Sequence, residues 1–98
     1  MLTKDTLVSA AQGPVAAALG EEMALLDVDS GRYFAFNPIG TDLWCWMQTP
    51  TSFGTLLERI QTEYAVDEAT CARDLQVWLE RLQSRGLVEI RRPDGRGN

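Results

Sequence analysis

The chain has 98 residues, 45% of them apolar, and a formal net charge of −5. That composition makes one globular domain with a single core, and no apolar run approaches the roughly 20 residues a membrane-spanning helix needs. The acidic balance argues against a nucleic-acid partner, whose binding rests on cationic contacts to phosphate.

The first residues, MLTKDTLVSAA, lack a basic cluster followed by an apolar core. No signal peptide is therefore read, and a cytoplasmic protein without a membrane partner is expected. Residues 1–13 show weak patterning and are read as an N-terminal arm, residues 14–90 as the folded domain and residues 91–98 as a disordered tail. The C-terminal end is locally basic, with Arg85, Arg91, Arg92 and Arg96 against Glu89 and Asp94.

In chain order, Pro14–Leu19 reads as a short strand and Gly20-Glu21 as a tight turn. Met23–Asp29 follows as a second strand, Ser30-Gly31 as a turn that uses glycine's access to positive φ, and Arg32–Phe36 (RYFAF) as a third strand. Two short connections in succession predict an antiparallel meander. Asn37-Pro38 has the chemistry of an N-cap followed by a first-turn proline. The helix it opens carries Ile39, Leu43, Trp44, Trp46 and Met47 and should stop before Pro50.

Thr51 or Ser52 caps a second helix with Phe53, Leu56, Leu57, Ile60 and Tyr64 at helical spacing. Gly54 in its first turn should cost about 1 kcal/mol relative to alanine. Asp67 caps the third helix, in which Cys71, Leu75, Leu79 and Leu82 form one stripe with Trp78 at its edge. Arg85 and Gly86 end it, and Leu87–Ile90 is a candidate terminal strand. Strands followed by helices give an α+β domain, a three-stranded antiparallel sheet packed on three helices.

Catalytic chemistry is sparse in this sequence. It has no histidine, no glycine-framed nucleophile and no phosphate loop. Cys45 and Cys71 fit no zinc spacing and read as reduced, small core residues. Asp27 and Asp29 share one side of a strand end, where solvation is the simpler account than a bound cation. The expectation is a non-enzyme without metal or cofactor.

Binding is the remaining class. Phe34 and Phe36 alternate with Tyr33 and Ala35, so the two phenylalanines face the helices. In a meander the last strand keeps a free edge, and neither proline nor lysine blunts this one. An extended peptide can add there by backbone hydrogen bonding. Trp78 sits at the boundary of the third helix's apolar stripe, with Asp74, Arg81 and Arg85 beyond it on the same side and Val77 nearly opposite the stripe. The nearest structural explanation for Trp78 is an ordinary core residue; the functional one is the wall of a groove.

The ordered set Gly31, Tyr33, Asn37, Pro38, Gly40, Trp44, Tyr64, Val66, Asp67, Asp74, Gly86 and Leu87 resembles the PqqD-like family, the precursor-peptide chaperones also called RiPP recognition elements. The likeness runs from about Val15 to Val88, and Phe36 departs from it conservatively, leucine being commoner there. The resemblance implies a winged-helix-like fold and a non-catalytic module. It would bind the leader region of a ribosomally made precursor peptide as an added antiparallel strand. It would then present that peptide to a maturation enzyme, a radical SAM maturase or, in lasso-peptide pathways, a leader peptidase. Arg32, Tyr33, Phe34, Ala35 and Phe36 would pair with the leader, and Asp74, Leu75, Trp78, Arg81, Leu82 and Arg85 would form the opposite wall. The chain would be free-standing. A winged-helix DNA-binding regulator is the alternative, opposed by Asp74 and Glu80 on the third helix. A subunit-docking or dimerisation module using the same strand edge is another.

Overall fold

A computed structural model of the protein describes residues 2–20 and 22–91. The elements are β1 (Leu7–Ala10), β2 (Val15–Leu19), β3 (Glu22–Asp27), β4 (Arg32–Phe36), α1 (Pro38–Trp46), β5 (Thr51–Ser52), α2 (Phe53–Glu63), α3 (Glu68–Ser84) and β6 (Val88–Arg91). They build two three-stranded antiparallel sheets, ordered β2-β3-β4 and β5-β1-β6, around three helices. The α+β class, the meander and the three helices are as the sequence predicts.

The helix starts follow from local chemistry. Asn37 Oδ1 accepts from the Gly40 N–H at 2.8 Å with Pro38 in the first turn, Ser52 Oγ accepts from Thr55 N–H, and Asp67 Oδ2 accepts from Thr70 N–H. Each satisfies an N–H that the helix itself leaves without a partner. The Asp67 carboxyl is held below its usual range, first by the Thr70 hydrogen bond.

The second hairpin differs in detail. The strand expected to reach Asp29 ends at Asp27, because the Asp27 carboxylate accepts from the Asp29 N–H and the Ser30 hydroxyl and turns the chain two residues earlier. Gly31, at φ +73, then donates to the Asp27 carbonyl at 2.8 Å, a conformation that a residue with a Cβ resists. Asp27 and Asp29 thus serve a turn, and among the described residues no group of acidic, cysteine or histidine side chains is arranged to hold a metal ion.

The larger difference is at the start of the chain. Within the segment read as an arm, Leu7–Ala10 is a strand at the centre of the second sheet. Val8 is 1% exposed, Thr6 is buried, and Phe53 N–H donates to the Thr6 carbonyl at 2.8 Å. The strand has no local signature because its partners lie far away in sequence: Val8 pairs with Thr51 on one side and Ile90 on the other. Gly54 belongs to this junction. A Cβ there would lie 3.1 Å from Lys4 Cβ and 3.2 Å from the Lys4 carbonyl oxygen, so glycine lets the incoming chain cross the start of α2. At the other end, Arg91 closes β6, while residues 92–98 of the expected tail lie outside the described residues.

The core lies between the β2-β3-β4 sheet, the helices and the second sheet. It joins Met23, Leu25 and Phe36 to Leu43, Trp44, Met47, Leu56, Leu79 and Leu87. Leu25 is fully buried, a burial worth about 1.5–3 kcal/mol for a leucine. The cysteines separate: Cys71 is buried, as expected, but Cys45 is exposed. On α1 the inward stripe is Leu43, Trp44 and Met47, and a step of about 100° beyond Trp44 carries Cys45 out of it. Among the described residues no helix is long and apolar enough to cross a membrane.

Candidate functional site

The site begins with the edge of β4. Because Leu19 pairs with Glu22 across the two-residue hairpin, Glu22, Ala24 and Leu26 direct their backbone groups to β2. Met23, Leu25 and Asp27 then direct theirs to β4, where they meet Phe36, Phe34 and Arg32. The alternation leaves the N–H and C=O of Tyr33 and Ala35 on the outer side of β4. No described strand pairs with that side.

The side chains alternate across the same strand. Phe36 is buried, with its ring centroid 5.6 Å from Trp78 and 6.0 Å from Trp44. Phe34 is half-buried, and the Arg85 guanidinium lies over its ring at 5.0 Å. Tyr33 is 70% exposed on the opposite face, in register with exposed Leu26 and, one strand further, exposed Val15. Ala35 is exposed and Arg32 is exposed at the start of the strand.

These contacts set the direction of the wall. Trp78 meets Phe36 and Arg85 meets Phe34, so α3 runs antiparallel to β4. Along it, Asp74, Trp78, Arg81 and Arg85 follow at steps of four, three and four residues and form one stripe, of which Trp78 and Arg85 reach β4. Leu75 is buried beneath this stripe, and Leu82 is buried in the core.

Where β4 ends, a cavity of about 290 Å³ opens. Asn37, Ile39, Gly40 and Leu43 line it from the start of α1, Ile60 and Val66 from α2 and the junction after it, and Thr70, Cys71, Asp74, Leu75 and Trp78 from α3. Its surface is mostly apolar with one carboxylate. Burial, and then the nearby Asp74 charge, push the Cys71 thiol above its ordinary value, so it stays a neutral, apolar wall group at neutral pH. Tyr64 fastens the junction to α1 by donating from its hydroxyl to Asp42 Oδ2 at 2.8 Å, which also raises the Tyr64 pKa.

Of the residues singled out from the sequence, the structure brings Phe34 to Arg85 and Phe36 to Trp78, while Tyr33 faces the other side of the sheet and Arg32, Ala35 and Arg81 are exposed. Asp74, Leu75 and Trp78 also line the cavity, whereas Leu82 does not. Ile39, Leu43, Ile60, Val66, Thr70 and Cys71 also line it, without a site signal in the sequence. The signal was available for two features at most, the Asn37-Pro38 cap and the Tyr64–Asp67 junction, both of which turn the chain around this cavity.

The model of the family described as Coenzyme PQQ synthesis protein D (PqqD) matches residues 22–88, about two-thirds of the chain. The chain belongs to the PqqD family. The matched span covers β3, β4, the three helices and the start of β6, and so every element that builds the groove. A curated-protein search gave no match. Among solved structures, this PqqD-family chain is similar to TbiB1 in complex with the TbiA(beta) leader peptide, at 28% identity and a TM-score of 0.75 over 83% of this chain and 94% of that one. The fold is also shared with lasso peptide synthetase B1 complexed with the leader peptide, at 21% identity and a TM-score of 0.74 over 84% and 96% of the two chains.

Proposed function

We propose that this chain is a non-catalytic module that captures the leader region of a ribosomally made precursor peptide and presents it to a processing enzyme. The observation that carries the reading is the open edge of β4 facing the α3 stripe, with an apolar cavity at one end. An added strand takes its backbone hydrogen bonds from Tyr33 and Ala35, and it places alternate side chains against α3. Running antiparallel to β4, the peptide has its N-terminal part at the cavity and its C-terminal part beside Arg32 and Arg85.

The structural relatives support the ligand class, since both are complexes with leader peptides. A lasso-peptide pathway, with a leader peptidase as the enzyme, is the version we favour because one of those relatives is a lasso peptide synthetase B1. Leader capture orders a flexible chain, which costs about 2–5 kcal/mol of the gross interaction energy. Nanomolar to micromolar dissociation constants are expected. The test is a fluorescence-anisotropy titration with labelled leader peptides from small open reading frames encoded beside this chain. Saturable binding to one of them, with the others inert, is the expected result. Failure of every such leader to bind the folded protein overturns the reading.

A further inference from the structure

We infer that the peptide held in this groove carries an acidic side chain four residues C-terminal to its apolar anchor. The inference rests on the leader-binding reading and adds the sequence class of the ligand.

The charges are the first observation. The protein carries a net charge of −5, yet three arginines gather at the groove's far end against one carboxylate, Asp27, in register with Arg32. Arg81 and Arg85 stand on the wall there, with Arg32 at the start of the strand below. None of the three makes an ion pair with another described side chain. The Arg85 guanidinium lies over the Phe34 ring, 5.0 Å from its centroid, and so covers the groove floor. The cavity end is the reverse: apolar, with the Asp74 carboxylate on its lining and no cation. An acidic side chain is repelled at the cavity and attracted at the arginines.

The spacing follows from two repeats. From Trp78 to Arg85, α3 rises about 10 Å, and from Asp74 to Arg85 about 16 Å, at 1.5 Å per residue. Along β4 the same wall is met over a shorter span, Trp78 at Phe36 and Arg85 at Phe34 two residues away, and Arg32 stands two residues further on the same face. The anchor and the acid both point at α3, and side chains on one face of a strand recur at even steps. An anchor level with Phe36 and an acid level with Arg32 are four residues apart in a strand paired with β4. The polarity is set by the antiparallel addition, which puts the anchor first and the acid after it.

The experiment is selection of a phage-displayed library of random 12-residue peptides on the full chain, in parallel with an Arg81→Glu/Arg85→Glu variant whose folding is checked by circular dichroism. The expected wild-type sequences pair a large apolar residue with Asp or Glu four positions later. The variant should keep the apolar residue and replace the acid by Lys or Arg. In the leading wild-type clone, made as a synthetic peptide, changing the acid to alanine should weaken binding about two- to fivefold, as for exposed ion pairs, and less so in 0.5 M salt. An apolar anchor selected without a charge preference at that position, or the same acid preference in both proteins, overturns this inference and leaves peptide capture standing. Absence of any enriched sequence on either protein overturns both.

Discussion

Replacing Ala35 by proline separates the open edge of β4 from its paired side. The register directs the Ala35 N–H outward and the Phe34 N–H to Leu25. Proline at 35 therefore removes a donor that no described strand uses, and edge strands tolerate proline when the missing N–H faces solvent. Phe34 is already extended, as the residue before a proline prefers. The free protein should keep its fold, with a urea midpoint close to that of the wild type. Binding loses one backbone hydrogen bond, worth about 0.5–1.5 kcal/mol net, which is about a 2- to 13-fold rise in dissociation constant. The pyrrolidine ring on the approach path can only add to that. The control is Phe34→Pro, which breaks a bond inside the sheet and leaves the central strand β3 short of a donor; it should lower the urea midpoint sharply. Anisotropy titration of a bound leader and urea melts monitored by tryptophan fluorescence read the two effects apart. Unchanged affinity in folded Ala35→Pro, or unfolding by Ala35→Pro with Phe34→Pro harmless, would refute the assignment of the outer edge.

Three further outcomes test the parts that hold the groove. Trp78→Ala removes the ring packed on Phe36 and one wall of the cavity; Trp78 is half-buried, so the loss of stability should fall below the roughly 3–5 kcal/mol of a fully buried aromatic, with leader affinity falling as well. Gly54→Ala would normally stabilise a helix by about 1 kcal/mol, but its Cβ would meet Lys4; thermal melting should show no gain, and a clear rise in Tm would mean that the N-terminal segment does not cross there. The Asp67 carboxyl is depressed in the folded state, so its capping contribution is complete above the unfolded carboxylate pKa and is lost as pH falls through the folded value. Asp67→Asn, which caps without titrating, should flatten the acid limb of a Tm-against-pH curve; an unchanged acid limb would assign acid unfolding to other carboxylates.

What could be read directly from the chain was chemistry acting over a few residues. Asn37, Ser52 and Asp67 cap helices because their oxygens reach an N–H three positions on, a distance that does not depend on the rest of the fold. The stripe on α3 was equally plain, since Cys71, Leu75, Leu79 and Leu82 recur at the period of the helix and Val77 does not. Even the free edge of β4 followed from counting short connections.

Tertiary structure decided the rest because the decisive contacts join distant segments. The LVSA stretch carries little pattern of its own, and it becomes a strand by pairing with residues about 43 and 82 positions away. Cys45 and Cys71 looked alike until the packing of two helices sent one to solvent and the other to the core. The cavity exists only where α1, the Tyr64–Asp67 junction and α3 converge, so no single stretch could announce it. The sequence by itself determined the helices, the hairpins and a strand edge that no described strand pairs with, all products of local hydrogen bonding and periodicity. Only the folded chain decided which wall stands opposite that edge, which way α3 runs along it and where its charges fall, because those depend on how separate elements pack.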